Sequence, residues 1–302
     1  MASRSLPLAL RQVHDEAQIG FGGENAKTYE RARPGYPPEA LSIIAELLPR
    51  VGGQDEAGRL VVVDLGCGTG KMTRQLLPVA EARGLEVVGV EPVQAMREVF
   101  KEAVPGVRVL EGEGSASLPL PAGAAAAVVC AQSFHWMASP AALREIHRVL
   151  VPGGVLALVW NTRDCQPCRC RALDDIIEPF YGPDVPRQHS GLWRRAFDQL
   201  GEIFRVSPRE SDHPEWGRLF GPLTERHLLH SQRLSVAEME HRVRSISVIA
   251  TRLEAERARA VREAQELLLK HADTRQGAAE AGTVDLPYDT ELYWCRKEAR
   301  PT

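Results

Sequence analysis

The chain has 302 residues, 44% apolar and 25% charged, an ordinary globular balance with length for one large domain or two small ones. Lys plus Arg number 37 against 40 Asp plus Glu, a net charge of −3, which supplies no general electrostatic footprint for nucleic acid. The longest small-apolar run, Ala122 to Ala131, is far shorter than the roughly 20 residues of a membrane span.

Residues 1–36 read as an irregular arm without the apolar core of a secretory leader, ending in Arg33-Pro34-Gly35-Tyr36-Pro37-Pro38. Residues 37–302 read as a single domain with its core motifs at 60–161. Leu41, Ile44, Ala45, Leu47 and Leu48 share one face and predict a helix over 39–48, followed by a loop at Gly52 to Gly58. The apolar runs Leu60 to Val63 and Val87 to Val90 have the character of strands buried on both faces. Between them Met72, Leu76, Leu77 and Ala80 recur at helical spacing over 71–83. Further strands are predicted at 107–110, 127–131 and 155–160, with helices at 93–104 and 140–150. This alternation predicts a doubly wound α/β sheet.

Residues 162–222 break the pattern and read as an insertion over the carboxyl edge of the sheet. Ser235 and Glu238 form a capping-box signature that starts a helix running to Ala250. A second helix is expected from Leu253 to His271, with Arg252 facing Glu256 and Arg259 facing Glu263. Glu291 to Arg296 is a last strand added at the sheet edge.

The sharpest signal is Val61-Val62-Val63-Asp64-Leu65-Gly66-Cys67-Gly68-Thr69-Gly70, a buried strand entering a glycine turn and then a helix. Glycines remove Cβ atoms where a ligand approaches the backbone, and the helix start offers unsatisfied amide donors. The dinucleotide pattern G-x-G-x-x-G is not met, because Lys71 stands where its third glycine belongs. Asp64 before the turn repels a pyrophosphate and welcomes a cation, while Glu91, ending the next strand, suits the two hydroxyls of an unphosphorylated ribose. The constellation favours a nucleoside that carries positive charge.

These residues resemble the class I S-adenosylmethionine-dependent methyltransferases, in the group with a type 11 methyltransferase domain. Asp64 to Gly70 is similar to the first family motif, Val90-Glu91-Pro92 to the ribose-binding strand end, and Arg148 to Gly154 to the turn before the fifth strand. The resemblance implies a Rossmann-like seven-stranded sheet with helices on both faces and a C-terminal antiparallel edge strand. It implies S-adenosyl-L-methionine as cofactor, held by Asp64, Gly66, Cys67, Gly68, Thr69, Gly70, Glu91, Pro92, Ser115, Ala116 and Gln132. The sequence departs from the family at Gly114 to Pro119, which lacks the acid that accepts the adenine amino proton.

Gln132-Ser133-Phe134-His135-Trp136 is similar to the segment that closes around the sulfonium and opens onto the acceptor. Tyr36, Arg33 and Trp136 are the expected acceptor-side residues, with Trp160 and Trp193 as further aromatic candidates. The arm and this segment resemble small-molecule methyltransferases such as the trans-aconitate type, so the expected acceptor is a small molecule, with a carboxylate among the options. A carboxylate needs no base; other acceptors would gain from one, for which His135 is the candidate. A non-catalytic binding protein of the same fold and an RNA- or tRNA-modifying methyltransferase with a partner stay open as alternatives. An oxidoreductase fits the glycine spacing poorly. Six cysteines suggest reduced thiols in the cytoplasm, with the nucleus left open; Cys165, Cys168 and Cys170 have a metal-ligand spacing but no second pair, and read as free thiols, with metal binding left open. The sequence leaves the oligomeric state open.

Overall fold

A computed structural model describes residues 15–49, 60–114, 117–163, 168–183, 185–206, 219–271 and 283–298. The arm forms α1 (Asp15–Gly20) and α2 (Glu24–Ala32), followed by α3 (Pro38–Leu47). Then come β1 (Val61–Leu65), α4 (Lys71–Glu81), β2 (Glu86–Val90), α5 (Gln94–Ala103), β3 (Arg108–Leu110) and β4 (Ala125–Ala131). A single turn α6 (Phe134–Met137) leads to α7 (Pro140–Val149) and β5 (Leu150–Arg163). The remainder holds α8 (Cys168–Ile177), α9 (Arg195–Val206), β6 (Thr224–Ser235), α10 (Val236–Arg244), α11 (Ser247–Ala250), α12 (Glu254–His271) and β7 (Thr283–Arg296).

Local chemistry explains several boundaries. Pro38 and Pro140 occupy the first turns of α3 and α7, where a missing N–H costs nothing. The Ser139 side chain caps α7, and Ser235 with Glu238 completes the expected capping box on α10. The expected single helix from 235 to 250 is interrupted at Ser245, so α10 and α11 are separate turns. On α12 the Arg259–Glu263 pair forms at 3.7 Å. Arg252 instead donates to the carbonyl of Phe180 at 2.6 Å, which corrects the expected pairing with Glu256.

The seven strands lie in the order β3-β2-β1-β4-β5-β7-β6. The first five are parallel, while β7 runs antiparallel to both β5 and β6. Helices α3 and α4 bury Leu41, Ile44, Met72 and Leu76 on one face; α7 and α9 bury Leu143, Ile146, Ala196 and Leu200 on the other. The order reverses between β1 and β4, which opens a crevice at the carboxyl ends of the strands.

The segment 162–222 divides its work. Trp193 and α9 join the core over one sheet face, whereas Leu173, Ile177 and Phe180 around α8 pack with α10, α11 and α12. β6, which the sequence reading passes over, forms the edge beside β7. Residues 283–287 of β7 pair with β6 alone, beyond the last residue of β5. This two-stranded ribbon projects past the sheet and carries the helical group of α8 and α10 to α12 over the crevice, with Val284, Leu286 and Tyr288 buried in it. No helix among the described residues is long and apolar enough to cross a membrane.

Candidate active site

The turn after β1 is hung from β2, because the amides of Gly66 and Cys67 donate to the carbonyl of Val90 at 2.8 and 3.2 Å. Gly66, Gly68 and Gly70 have φ of 70°, 55° and 88°, a region that favours glycine. Their surroundings differ. A Cβ on Gly66 would strike Ser133, and one on Gly70 would strike Val104 and Phe100, but one on Gly68 would meet nothing. Gly68 faces open space, while Gly70 packs the turn against α5 and does not line the cavity.

Gly68 also lines an open cavity whose empty space, solvent at its mouth included, is about 950 Å³. Asp64, Gly66, Cys67, Gly68, Thr69, Glu91, Pro92 and Gln132 line it, as do Arg33, Tyr36 and Trp136. Asp64 is fully buried, and its Oδ2 accepts from Thr73 Oγ1 at 2.6 Å while Oδ1 has no partner. Burial pushes its pKa up to about 7, against the Thr73 hydrogen bond, and the nearby Glu91 adds to the rise. A buried carboxylate oxygen without a donor, at the wall of an open cavity, is suited to a cationic group. Glu91 accepts the Gly68 amide on Oε2 and the Val93 amide on Oε1, both at 2.9 Å. Burial raises its pKa, and those two amides and Arg97 oppose the rise.

Gln132 is the one non-glycine residue with positive φ, 58°, among the described residues. Its amide donates to Val159 at 2.8 Å and its Nε2 to the Asn161 carbonyl at 3.0 Å, so a costly backbone angle is fixed from both sides at the cavity wall. The Cys67 thiol is buried and held well above its ordinary pKa by burial and then by Asp64 and Glu91, so it is no nucleophile. Ser115 and Ala116 lie outside the described residues, as does Cys165, and the side chains of Cys168 and Cys170 are not described.

The arm is latched to the glycine turn. Glu30 of α2 accepts from Thr69 Oγ1 and from Arg74, and Lys71 Nζ lies 3.9 Å from its carboxylate. Tyr36 and Gln75 exchange two hydrogen bonds at 2.9 Å, and Asn161 Nδ2 donates to the Gly35 carbonyl at 2.9 Å. The Thr69 hydroxyl therefore serves the arm, although Thr69 still lines the cavity.

His135 corrects the expectation of a general base. It is absent from the cavity wall, and its Nδ1 accepts from Trp160 Nε1 at 3.1 Å. Burial, with a smaller contribution from His189, pushes its pKa down to about 3. Trp160 and Trp193 also miss the cavity and pack against each other in the core, with ring centroids 4.9 Å apart. Trp136 meets the ring of Phe21 edge to face at 6.1 Å on the cavity wall.

The cavity is also lined by two residues that the sequence does not single out, Arg242 of α10 and Tyr288 of β7. Arg242 is 3% exposed, and its Nε donates to Tyr288 Oη at 3.0 Å. One signal was available: position 242 falls on the face of α10 that buries Met239 and Val243, an unusual place for a charge.

Residues 63–158 match the family profile described as a methyltransferase domain. The chain is 30% identical over 270 residues to an uncharacterised methyltransferase-like protein of Schizosaccharomyces pombe, covering 89% of this chain and 93% of that protein. The chain belongs to the methyltransferase family. A second methyltransferase, uncharacterised, from Oceanobacillus iheyensis, is 34% identical over 220 residues, 68% of this chain and 90% of its own. An uncharacterised methyltransferase of Mycobacterium tuberculosis is 42% identical over 162 residues, 54% of this chain. The chain matches only 60% of that relative's length. In fold, the chain is similar to a solved structure from Anabaena variabilis described as a methyltransferase of an antibiotic biosynthesis pathway. They share 18% identity, coverage of 87% and 98%, and a TM-score of 0.51. The cofactor of this methyltransferase class is S-adenosylmethionine, and the unpartnered Asp64 oxygen together with the open side of Gly68 fits that cationic nucleoside.

Proposed function

We propose that the protein transfers the methyl group of S-adenosylmethionine to a small-molecule acceptor, a carboxylate among the options, within the cavity between the glycine turn and the ribbon. The observation that carries this reading is Asp64 Oδ1, a buried carboxylate oxygen without a donor on the wall of that cavity. Asp64 would hold the positive end of the cofactor, and Glu91, whose carboxylate keeps lone pairs beyond its two amide bonds, would take the ribose hydroxyls. Gly66, Cys67, Gly68, Pro92 and Gln132 would form the surface beneath it. When bound, S-adenosylmethionine supplies an activated methyl on a sulfonium.

The residues of the chain would contribute mainly position. Fixing two reactants in line contributes roughly 7 to 11 kcal/mol, enough without a covalent intermediate. The arm, latched by Glu30 and Tyr36, helps enclose the cavity, and Phe21, Tyr29 and Trp136 give it apolar walls. His135, turned to Trp160 and held neutral, takes no proton from the acceptor; a carboxylate acceptor needs no such step. The arm over residues 1–36 and the methyltransferase domain over 37–302 would act as one unit, and the buried free thiols of Cys67, Cys130 and Cys295 suit the cytoplasm.

The test is incubation with S-adenosylmethionine labelled on its methyl group and a fractionated cell extract. Label in a low-molecular-mass fraction supports the proposal. Label confined to RNA or protein, or no transfer together with no binding of S-adenosylhomocysteine, defeats it.

A further inference from the structure

The cavity is lined by two carboxylates, Asp64 at the glycine turn and Glu91 at the end of β2, and by three cations, Lys71, which faces Glu30 at 3.9 Å, Arg33 from the arm and Arg242 from α10. Among the described residues, Arg33 and Arg242 are each pinned by a single hydrogen bond. Arg33 Nη2 donates to the Ser245 carbonyl at 3.0 Å, with the guanidinium 5.1 Å from the Tyr29 ring centroid. Arg242 Nε donates to Tyr288 Oη at 3.0 Å, with the guanidinium 5.9 Å from that ring. The remaining groups include two orphans: Arg33 Nε and Arg242 Nη1 are buried with no hydrogen-bond partner.

The Arg242 guanidinium is buried and that of Arg33 half-buried, the two repel each other, and the surrounding groups do not cancel the charge. The groups acting on Arg33 are Arg242, which disfavours its charge, and Tyr29, Tyr288 and Tyr181; no carboxylate is among them. Arg163, also nearby, is paired with Asp174. A buried charge lacking a partner is costly, and an incoming anion would remove the cost while accepting from both orphaned donors. Phe21, Tyr29 and Trp136 beside the pair would cover an apolar portion of the same ligand.

We infer that Arg33 and Arg242 form an anion seat for a carboxylate on the acceptor, so that the enzyme takes a small acid with an apolar body. The inference rests on the methyl-transfer reading and names the acceptor class for it. The aminoacyl end of the cofactor is the other source of a carboxylate, and the two sources give different results.

The experiment is calorimetric. S-adenosylhomocysteine and 5′-methylthioadenosine, which lacks the aminoacyl group, are titrated first. The protein loaded with S-adenosylhomocysteine is then titrated with 3-phenylpropanoate and with its neutral amide. The acid is expected to bind at least about tenfold more tightly than the amide, as for other charge-assisted contacts. Arg242→Gln and, separately, Arg33→Gln are expected to erase that preference while S-adenosylhomocysteine affinity changes less than about twofold. Arg242→Lys, which keeps the charge, is expected to retain part of the preference. Equal binding of acid and amide, or binding of neither, overturns the seat. A variant that loses S-adenosylhomocysteine but keeps 5′-methylthioadenosine also overturns it, by giving the arginines to the cofactor. If the wild-type protein binds neither nucleoside, the methyl-transfer reading itself fails, before any acid is added.

Discussion

The indole nitrogen of Trp160, on β5, donates its proton to Nδ1 of His135, on α6, at 3.1 Å. The histidine thereby gives a buried core tryptophan its acceptor, and it does so as a neutral ring. Replacing it with phenylalanine leaves the indole unsatisfied and should lower stability by about 1 to 3 kcal/mol, read from denaturant unfolding. The pH profile of methyl transfer should keep its shape in His135→Gln. A profile that loses a limb in that variant would return His135 to the chemistry.

Gly68 and Gly70 should separate binding from folding. Gly68→Ala points a methyl into open space, so the protein should stay folded, at the expense of a strained φ of 55°, and lose affinity for S-adenosylhomocysteine. Gly70→Ala drives a methyl into Phe100 and Val104 and should lower the melting temperature sharply. Equal effects of both substitutions on both measurements would contradict this division.

Asp64 gives cofactor binding a pH dependence with a defined sign. Its pKa in the free protein is about 7, and a cationic ligand needs the ionised form. Affinity should rise with pH up to about 7 and fall by as much as roughly tenfold per unit below it, as one linked proton requires. The same shift makes the free protein less stable as pH rises from about 4 to 7, because the folded state keeps a proton that the unfolded chain has released. Titrating S-adenosylmethionine, which carries the sulfonium charge that S-adenosylhomocysteine lacks, at several pH values against Asp64→Asn checks the assignment; the variant should bind weakly and with a flatter profile.

Glu30 holds the arm to the turn through Thr69 and Arg74. Glu30→Ala should release the arm, speed proteolytic cleavage within it, and weaken cofactor binding without changing the unfolding of the sheet. Limited proteolysis with and without S-adenosylhomocysteine measures this, and unchanged cleavage would show that Tyr36 and Gln75 suffice.

Glu91→Gln should lower cofactor affinity by about 1 to 3 kcal/mol, the scale of hydrogen bonds to a charged group. Competition between adenosine and its 2′-deoxy analogue should show the loss concentrated on ligands with both hydroxyls.

The parallel half of the sheet was legible because its strands are uninterrupted apolar runs, such as Val61 to Val63, and each sheds its side chains into both faces. The glycine turn and Glu91 stood out through local spacing, whereas Gln132 was expected only through the family resemblance. β6 was not, since a half-exposed edge strand with Leu228 and Leu234 as its buried apolar residues shows little alternation. Arg242 was hidden for a different reason. Its meaning depends on the pairing of β6 with β7, which sets α10 over the crevice, and no local pattern encodes that long-range contact. His135 was misread because its neighbours in sequence point toward the cavity, while the helical turn of α6 directs the ring to Trp160.

The ribbon of β6 and β7 also joins distant parts of the chain around one cavity. The wall with Asp64, Gly68, Glu91 and Gln132 comes from residues 61–132. Arg33 comes from the arm, and Arg242 of α10 donates to Tyr288 of β7. The walls of the cavity thus draw on stretches far apart in the chain, with Arg33 before and Tyr288 long after residues 61–132, so the cavity is complete only once β7 has paired with β6.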